Sequence, residues 1–77
     1  MDLPMTGAWT MSVHGVRPFT IHGDLYYEVH ATRLDVDDAR VFALRIAQHA
    51  MPRAPSAGET IEVSFLMGQV TAGRIVA

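Results

Sequence analysis

The chain has 77 residues, of which 49% are hydrophobic and 18% are charged, and its formal net charge is −2. This length supports one domain with a single modest core, so we expect residues 1–77 to form one unit with a flexible start at residues 1–6. Cysteine is absent, which excludes a disulfide, a thiolate metal site and a cysteine nucleophile. No apolar run reaches the length of a membrane span, so we expect a cytoplasmic protein that does not enter membranes.

Two alternating runs near the N-terminus predict an antiparallel hairpin. Residues 8–14 alternate between apolar and polar side chains, with Met11 and Val13 on the apolar face. After a breaker that contains glycine and proline, Phe19 and Ile21 continue the same pattern. Apolar side chains lie opposite one another only if Val13 faces Phe19, so this pairing is the expected one.

Three further runs also have the period of strands. Gly23-Asp24 predicts a turn, and residues 25–34 then alternate, either as a third strand or as the far half of a bent second one. Residues 61–67 and 70–76 alternate near the C-terminus. Between them, Gly68-Gln69 fits a two-residue type II′ turn, because glycine adopts the positive φ of the first position.

Residues 36–51 are predicted to form one amphipathic helix. A rotation of about 100° per residue gathers their apolar side chains into one arc, in which Phe42, Ile46 and Ala50 would face the sheet. Asp35 is a suitable N-cap. The competing prediction is a strand that follows residues 25–34 in a hairpin and places Phe42, Leu44 and Ile46 inward, with Glu28 opposite Arg45. We favour the helix because the strand leaves several apolar residues exposed and uses four alanines where β-branched residues fit better.

These elements predict an α+β fold, a small antiparallel sheet or barrel of four to five strands with one amphipathic helix in the order β-β-β-α-β-β. This element order is similar to that of the oligonucleotide/oligosaccharide-binding (OB) barrel. If the second and third strands are one, it resembles that of a β-grasp roll. The similarity is one of element order alone and carries no motif.

Histidine spacing suggests a metal site, because His14, His22 and His30 recur every eight residues with the same outward parity. Three imidazoles can bind zinc or copper. Nothing in the sequence makes the three converge, however, and solvated histidines are the simpler interpretation. Met11 and Met67 have inward parity and are expected to fill the core.

Catalysis and cofactor binding are not expected. The sequence shows no arrangement of nucleophile, base and oxyanion donors, and its six glycines occur singly, which excludes the glycine-rich phosphate-binding loops. We therefore expect a chain that is not an enzyme and that requires no cofactor.

Nucleic-acid binding is the second functional hypothesis. Aromatic and basic side chains on an outward sheet face are the groups on which single strands stack. The candidates are Tyr26, His22, His30, Arg17, Arg33 and Arg53. The negative net charge of the chain argues against this function, because neutralisation of phosphates supplies most of the affinity of a protein for nucleic acid.

Protein–protein association is the hypothesis that we favour, with the chain as a non-catalytic binding module. Apolar side chains are left over once the inward faces are filled, and small domains bury such groups by pairing. Val41 and Leu66 are the predicted interaction surface, and a homodimer is the expected assembly.

Overall fold

The computed structural model describes residues 3–37 and 39–77 of the chain. In this part, all strand pairs are antiparallel, and the order across the sheet is β3-β2-β1-β4-β5. The elements in chain order are β1 (Thr6–Ile21), β2 (Asp24–Arg33), β3 (Val41–Ala47), a 3₁₀-helix (Gln48–Ala50), β4 (Thr60–Leu66) and β5 (Gln69–Ile75). None of the described residues lies in an α-helix, and none belongs to a helix long and apolar enough to cross a bilayer.

The predicted α+β class with a helix over residues 36–51 is wrong, because this segment contributes the edge strand β3. Buried and exposed residues alternate along β3, which is the period of a strand and not of a helix. Pairing with β2 decides the conformation, and it places Glu28 opposite Arg45, as in the competing hairpin. Asp38 lies outside the described residues. The three buried residues of β3 are Phe42, Leu44 and Ile46.

β1 organises the sheet because its two halves pair with different strands. Thr6–Ser12 pairs with β4, whereas Met11–Ile21 pairs with β2. In the pairing with β2 the register shifts between Val13 and Gly15, so His14 is an extra residue without a partner. Such a β-bulge bends the strand and increases its twist, which allows one long strand to serve both halves of a curled sheet.

The bulge also reverses the faces of the second half of β1. Before it, Met11 and Val13 lie in the core, and beyond it Val16 is the residue that packs against the core. Phe19 therefore turns to the outer face, where it lies opposite Tyr26. The predicted hairpin, with Val13 opposite Phe19 on the inner face, is wrong for this reason.

Both two-residue hairpin turns lie one residue before their predicted positions. The turns are His22-Gly23 and Met67-Gly68 instead of Gly23-Asp24 and Gly68-Gln69. The central φ values are 51° and 84° in the first turn and 54° and 76° in the second, and type I′ turns require positive φ at both positions. Met67 is 73% exposed at its turn, so the prediction that it fills the core is wrong.

A single hydrophobic core covers the inner face of the sheet. At one end of this core, Trp9 packs edge-on against Phe42 and Phe65, with ring centroids 5.1 and 4.9 Å away. The guanidinium of Arg33 covers the Trp9 ring at 4.1 Å. The buried core residues are Met11, Val13, Val29, Ala31, Phe42, Leu44, Ile46, Met51, Ile61, Val63 and Phe65.

The two edge strands approach each other without pairing, and we call the gap between β3 and β5 the seam. Cα atoms of the two strands come within 8 Å, yet neither strand is the other's neighbour in the sheet. At one end of the seam, a Cβ on Gly73 would lie 3.6 Å from Ile46 Cδ1 and would collide with the sulfur of Met51. Glycine at this position lets β5 pack its backbone directly on these two side chains.

Replacing Phe42 by alanine should lower the free energy of unfolding by about 3–5 kcal/mol. The reason is that the ring is only 3% exposed and packs against Trp9. Urea denaturation measures this change. Arg45→Ala on the same strand is the control, since this side chain is exposed, and an equal loss in both variants would contradict the burial of Phe42.

Replacing Met67 by asparagine should raise the free energy of unfolding by about 1 kcal/mol. Met67 has a φ of 54°, a conformation that costs an ordinary L-residue about 1–2 kcal/mol, whereas asparagine is favoured there in type I′ turns. The exposed methionine side chain contributes little packing that the variant loses. Thermal and urea denaturation measure the effect, and a less stable variant would argue against this turn.

Candidate functional site

The outer face of the sheet carries a group of aromatic and charged residues that we call the outer cluster. Its centre is a stack of Phe19 on Tyr26, with ring centroids 5.6 Å apart and planes inclined by 28°. The guanidinium of Arg45 lies 5.7 Å from the centroid of the Phe19 ring. β1, β2 and β3 contribute its members, which are Arg17, Phe19, Tyr26, Glu28, His30 and Arg45.

Glu28 is the only carboxylate of the outer cluster, and two neighbours bind it. Its Oε1 accepts hydrogen bonds from His30 Nε2 and from Arg17 Nη2, each at 3.1 Å. These two groups, His30 first, hold the pKa of the Glu28 carboxyl below its ordinary value. Arg17 and His30 are therefore occupied with a carboxylate on the protein itself.

Arg33 and Arg53 do not join the aromatic stack with which the sequence grouped them. Arg33 lies over Trp9 at the end of the core, and it donates to both carboxylate oxygens of Asp35 at 2.9 and 3.0 Å. These hydrogen bonds lower the pKa of Asp35. Arg53 binds Glu59 in the loop before β4. A guanidinium paired in this way has less to gain from a phosphate.

The three candidate histidines lie at different places. His14 shares a hydrogen bond of 2.6 Å with Thr32 Oγ1, and His30 binds Glu28. His22 lies in the turn at the far end of β1. Among the residues that the structure describes, no three His, Cys, Asp or Glu side chains are grouped so that they could hold a metal ion.

Val41 and Leu66, the predicted interaction surface, are both exposed, at 58% and 53%. The register separates them, however. Val41 lies opposite Thr32, which faces Ser12 of β1, whereas Leu66 lies opposite Thr6. Six residues of β1 correspond to about 20 Å, so the two side chains do not form one continuous patch, and association through them stays a prediction.

A groove of about 590 Å³ opens at the end of the seam away from Gly73. β3 and the 3₁₀-helix line one side, and the β4–β5 turn with the start of β5 lines the other. We call it the seam groove. Its lining residues include Tyr26, Ala43, Arg45, His49, Val70 and Thr71.

Arg45 connects the outer cluster with the seam groove, and it has no carboxylate partner among the described residues. By contrast, Arg17, Arg33, Arg53 and Arg74 each bind a carboxylate within 3.1 Å. The side chain of Arg45 instead lies over Phe19. An arginine that lines a groove without a carboxylate partner is a candidate for binding an anionic group.

Sequence reasoning missed Phe19 and Arg45 as site residues. Phe19 was assigned to the core because the bulge at His14 leaves little trace in the residue pattern. The helix predicted over residues 36–51 gives Arg45 no role, because this side chain is not part of the apolar arc. The competing hairpin, which places Arg45 opposite Glu28, contains the signal that puts it on the outer face.

A scan against protein-family models, a search of curated proteins and a search of solved structures found no match to this chain.

Glu59 fixes the loop that precedes β4. Its carboxylate accepts hydrogen bonds from Arg53 Nη1 and Nη2 at 2.9 and 2.6 Å, and from the amide of Ser56 at 2.6 Å. These donors lower the pKa of the Glu59 carboxyl from 4.5 to about 2. The same loop is attached to β1 by a hydrogen bond of 2.8 Å from the Gly58 amide to the Val13 carbonyl.

The fold should lose stability in acid as Glu59 takes up a proton. A carboxyl whose pKa is lowered by folding stabilises the folded state above its unfolded pKa, and this contribution disappears as the pH falls. For Glu59 the window runs from pH 4.5 down to about 2. Denaturation across this window should show a smaller pH dependence for Glu59→Gln than for the wild type.

Arg53→Gln should reduce this dependence only in part, since the Ser56 amide still donates to the carboxylate. An unchanged pH dependence in Glu59→Gln would contradict the role given to this carboxylate.

Proposed function

We propose that this chain is a non-catalytic binding module that acts through protein–protein contact at the open edges of its sheet, and that its copies self-associate there. The observation that supports this proposal is that β3 and β5 each have a neighbour on one side only. The free side of an edge strand presents unpaired N–H and C=O groups, which pair readily with a strand of another chain.

The residues of β3 favour such pairing. Natural sheets protect their edges with prolines and with several charged side chains. β3 contains no proline and a single charged residue, Arg45, while Val41 at its start is 58% exposed. An edge with this composition offers both backbone hydrogen bonds and apolar surface to a partner.

Binding of single-stranded nucleic acid is the second candidate, and the stack of Phe19 on Tyr26 beside Arg45 supports it. The charge of the surface gives nucleic-acid binding less support. Arg17, the other arginine of the outer cluster, is bound to Glu28, and the chain as a whole has a formal charge of −2. Protein is therefore the partner that the surface fits better.

Self-association should appear as an apparent mass above that of one chain and as a thermal midpoint that rises with protein concentration, because association favours the folded state. Sedimentation equilibrium and thermal denaturation measure the two effects. Val41→Glu should shift the protein to a folded monomer, since it places a carboxylate on the edge strand. Leu66→Glu tests the second predicted contact, which lies at the end of β4 between β1 and β5 and not on an edge strand.

The matched control is Ser12→Glu, which adds the same charge at a half-buried position of β1 that pairs with Thr32 of β2 on one side and with Thr60 of β4 on the other. This variant should associate like the wild type. Phe65→Glu should unfold, because it buries an unpaired charge. A wild type that stays monomeric at millimolar concentration would end the proposal of self-association.

A further inference from the structure

We propose that the seam groove binds an extended polypeptide segment that carries a carboxylate side chain, and that Arg45 is the residue that binds this carboxylate. The inference rests on the proposed function, because it uses the same free edge of β3. It goes further by giving the chemistry of the ligand and the residue that recognises it.

The walls of the groove indicate a polypeptide. One wall is the free edge of β3 from residue 43 to residue 47, and the opposite wall runs from Gly68 to Thr71. Edge strands bind extended peptides by pairing main-chain groups, and this mode needs no enclosed pocket.

The length of the groove also indicates a polypeptide ligand. A second depression, of about 390 Å³, adjoins it and shares Tyr26, Ala47 and His49 with it. Together they form a track from the β1–β2 turn to the β4–β5 turn. A track of this shape fits an extended chain better than a compact molecule.

The charge of the groove indicates the carboxylate. Arg45 and His49 line the seam groove, and none of its described lining residues is an aspartate or a glutamate. Asp24 lines only the adjoining depression, at the other end of the track. The guanidinium has five N–H donors, and it binds carboxylates through two parallel hydrogen bonds.

The contacts within the outer cluster explain why Arg45 has no carboxylate partner among the described residues. Glu28 lies directly opposite it in the register between β2 and β3, at the distance at which opposite charges usually pair. The carboxylate oxygen of Glu28 instead binds Arg17 and His30 on the side of β1 and β2. Two hydrogen-bond donors, from Arg17 and His30, thus hold the carboxylate that lies opposite Arg45, and the Arg45 guanidinium remains available.

The neighbours of Arg45 leave room for a ligand. Ala43 and Ala47 flank it on the same face of β3, so its surroundings on this strand are two methyl groups. Phe19 supports the guanidinium from the side of β1. A bound strand can therefore place one acidic side chain against Arg45 and rest its neighbouring side chains on small residues.

Three fluorescent peptides test the inference. They share the sequence Thr-Val-X-Val-Thr-amide with an uncharged BODIPY fluorophore on the N-terminus, and X is glutamate, glutamine or lysine. The wild type should bind the glutamate peptide about tenfold more tightly than the glutamine peptide, as a charge-assisted pair implies, and the lysine peptide most weakly. Fluorescence anisotropy gives the three affinities.

The variant Arg45→Gln should abolish the preference for glutamate while it still binds the glutamine peptide. Arg74→Gln is the matched control, because Arg74 is an exposed arginine on the other edge strand, bound to Glu62 and outside the groove. This control should keep the full preference. In amide NMR spectra, the glutamate peptide should shift the resonances of Ala43, His49, Val70 and Thr71.

Three results would overturn the inference. Equal binding of the three peptides would show that the edge strand binds the main chain of a peptide whatever the charge of its central side chain. The proposed function would then stand without this inference. No binding of any peptide at millimolar concentration, together with a monomeric wild type, would end both proposals. A labelled single-stranded oligonucleotide that binds the wild type, displaces the glutamate peptide and loses affinity in Arg45→Gln would make the groove a nucleic-acid site.

Discussion

One extra residue in β1, His14, determines the arrangement of the whole sheet. Because it is skipped in the pairing with β2, the strand bends and its second half turns over. The first half can then pair with β4 and bury Met11 and Val13, while the second half pairs with β2 and exposes Phe19. Without this residue the alternation of the sequence would continue, and an aromatic ring that now lies on the outer face would compete for space in the core.

The same reversal sets the charges of the outer face. It brings Arg17 beside Glu28 and leaves His30 near enough to bind the same carboxylate oxygen. One acidic group is then shared by two basic neighbours, and Arg45 across the strand pair has no carboxylate partner in the part of the chain that the structure describes. An acidic chain can thus present an uncompensated positive charge at one place, because net charge describes the sum of the groups and not their distribution.

The alternation of apolar and polar residues along the sequence predicts most of the strands. Contacts between strands determine the elements that this alternation does not predict. The parity of residues 8–14 and of residues 61–65 correctly identifies Met11, Val13 and Phe65 as buried. Between residues 41 and 47, Phe42 and Ile46 fit both a helical and a strand period, and the alanines favour a helix. Pairing with β2 makes residues 41–47 a strand, because Val29 and Ala31 of β2 lie opposite Leu44 and Phe42. That Arg45 has no carboxylate partner among the described residues is even harder to predict from the sequence, because it depends on which of three neighbouring side chains, Arg17, His30 or Arg45, binds Glu28.

The open seam follows from how the core is filled. At the Gly73 end, the side chains of Ile46 and Met51 pack against the backbone of β5, and strands that are separated by side chains cannot also form a hydrogen-bonded ladder at a spacing of about 4.8 Å. The main-chain groups on these two edges therefore do not pair with one another, and such groups cost little where water solvates them. In the proposed association, a strand of the partner would supply the missing hydrogen bonds. The packing of Ile46 and Met51 on β5 is thus also what keeps β3 and β5 from pairing with each other.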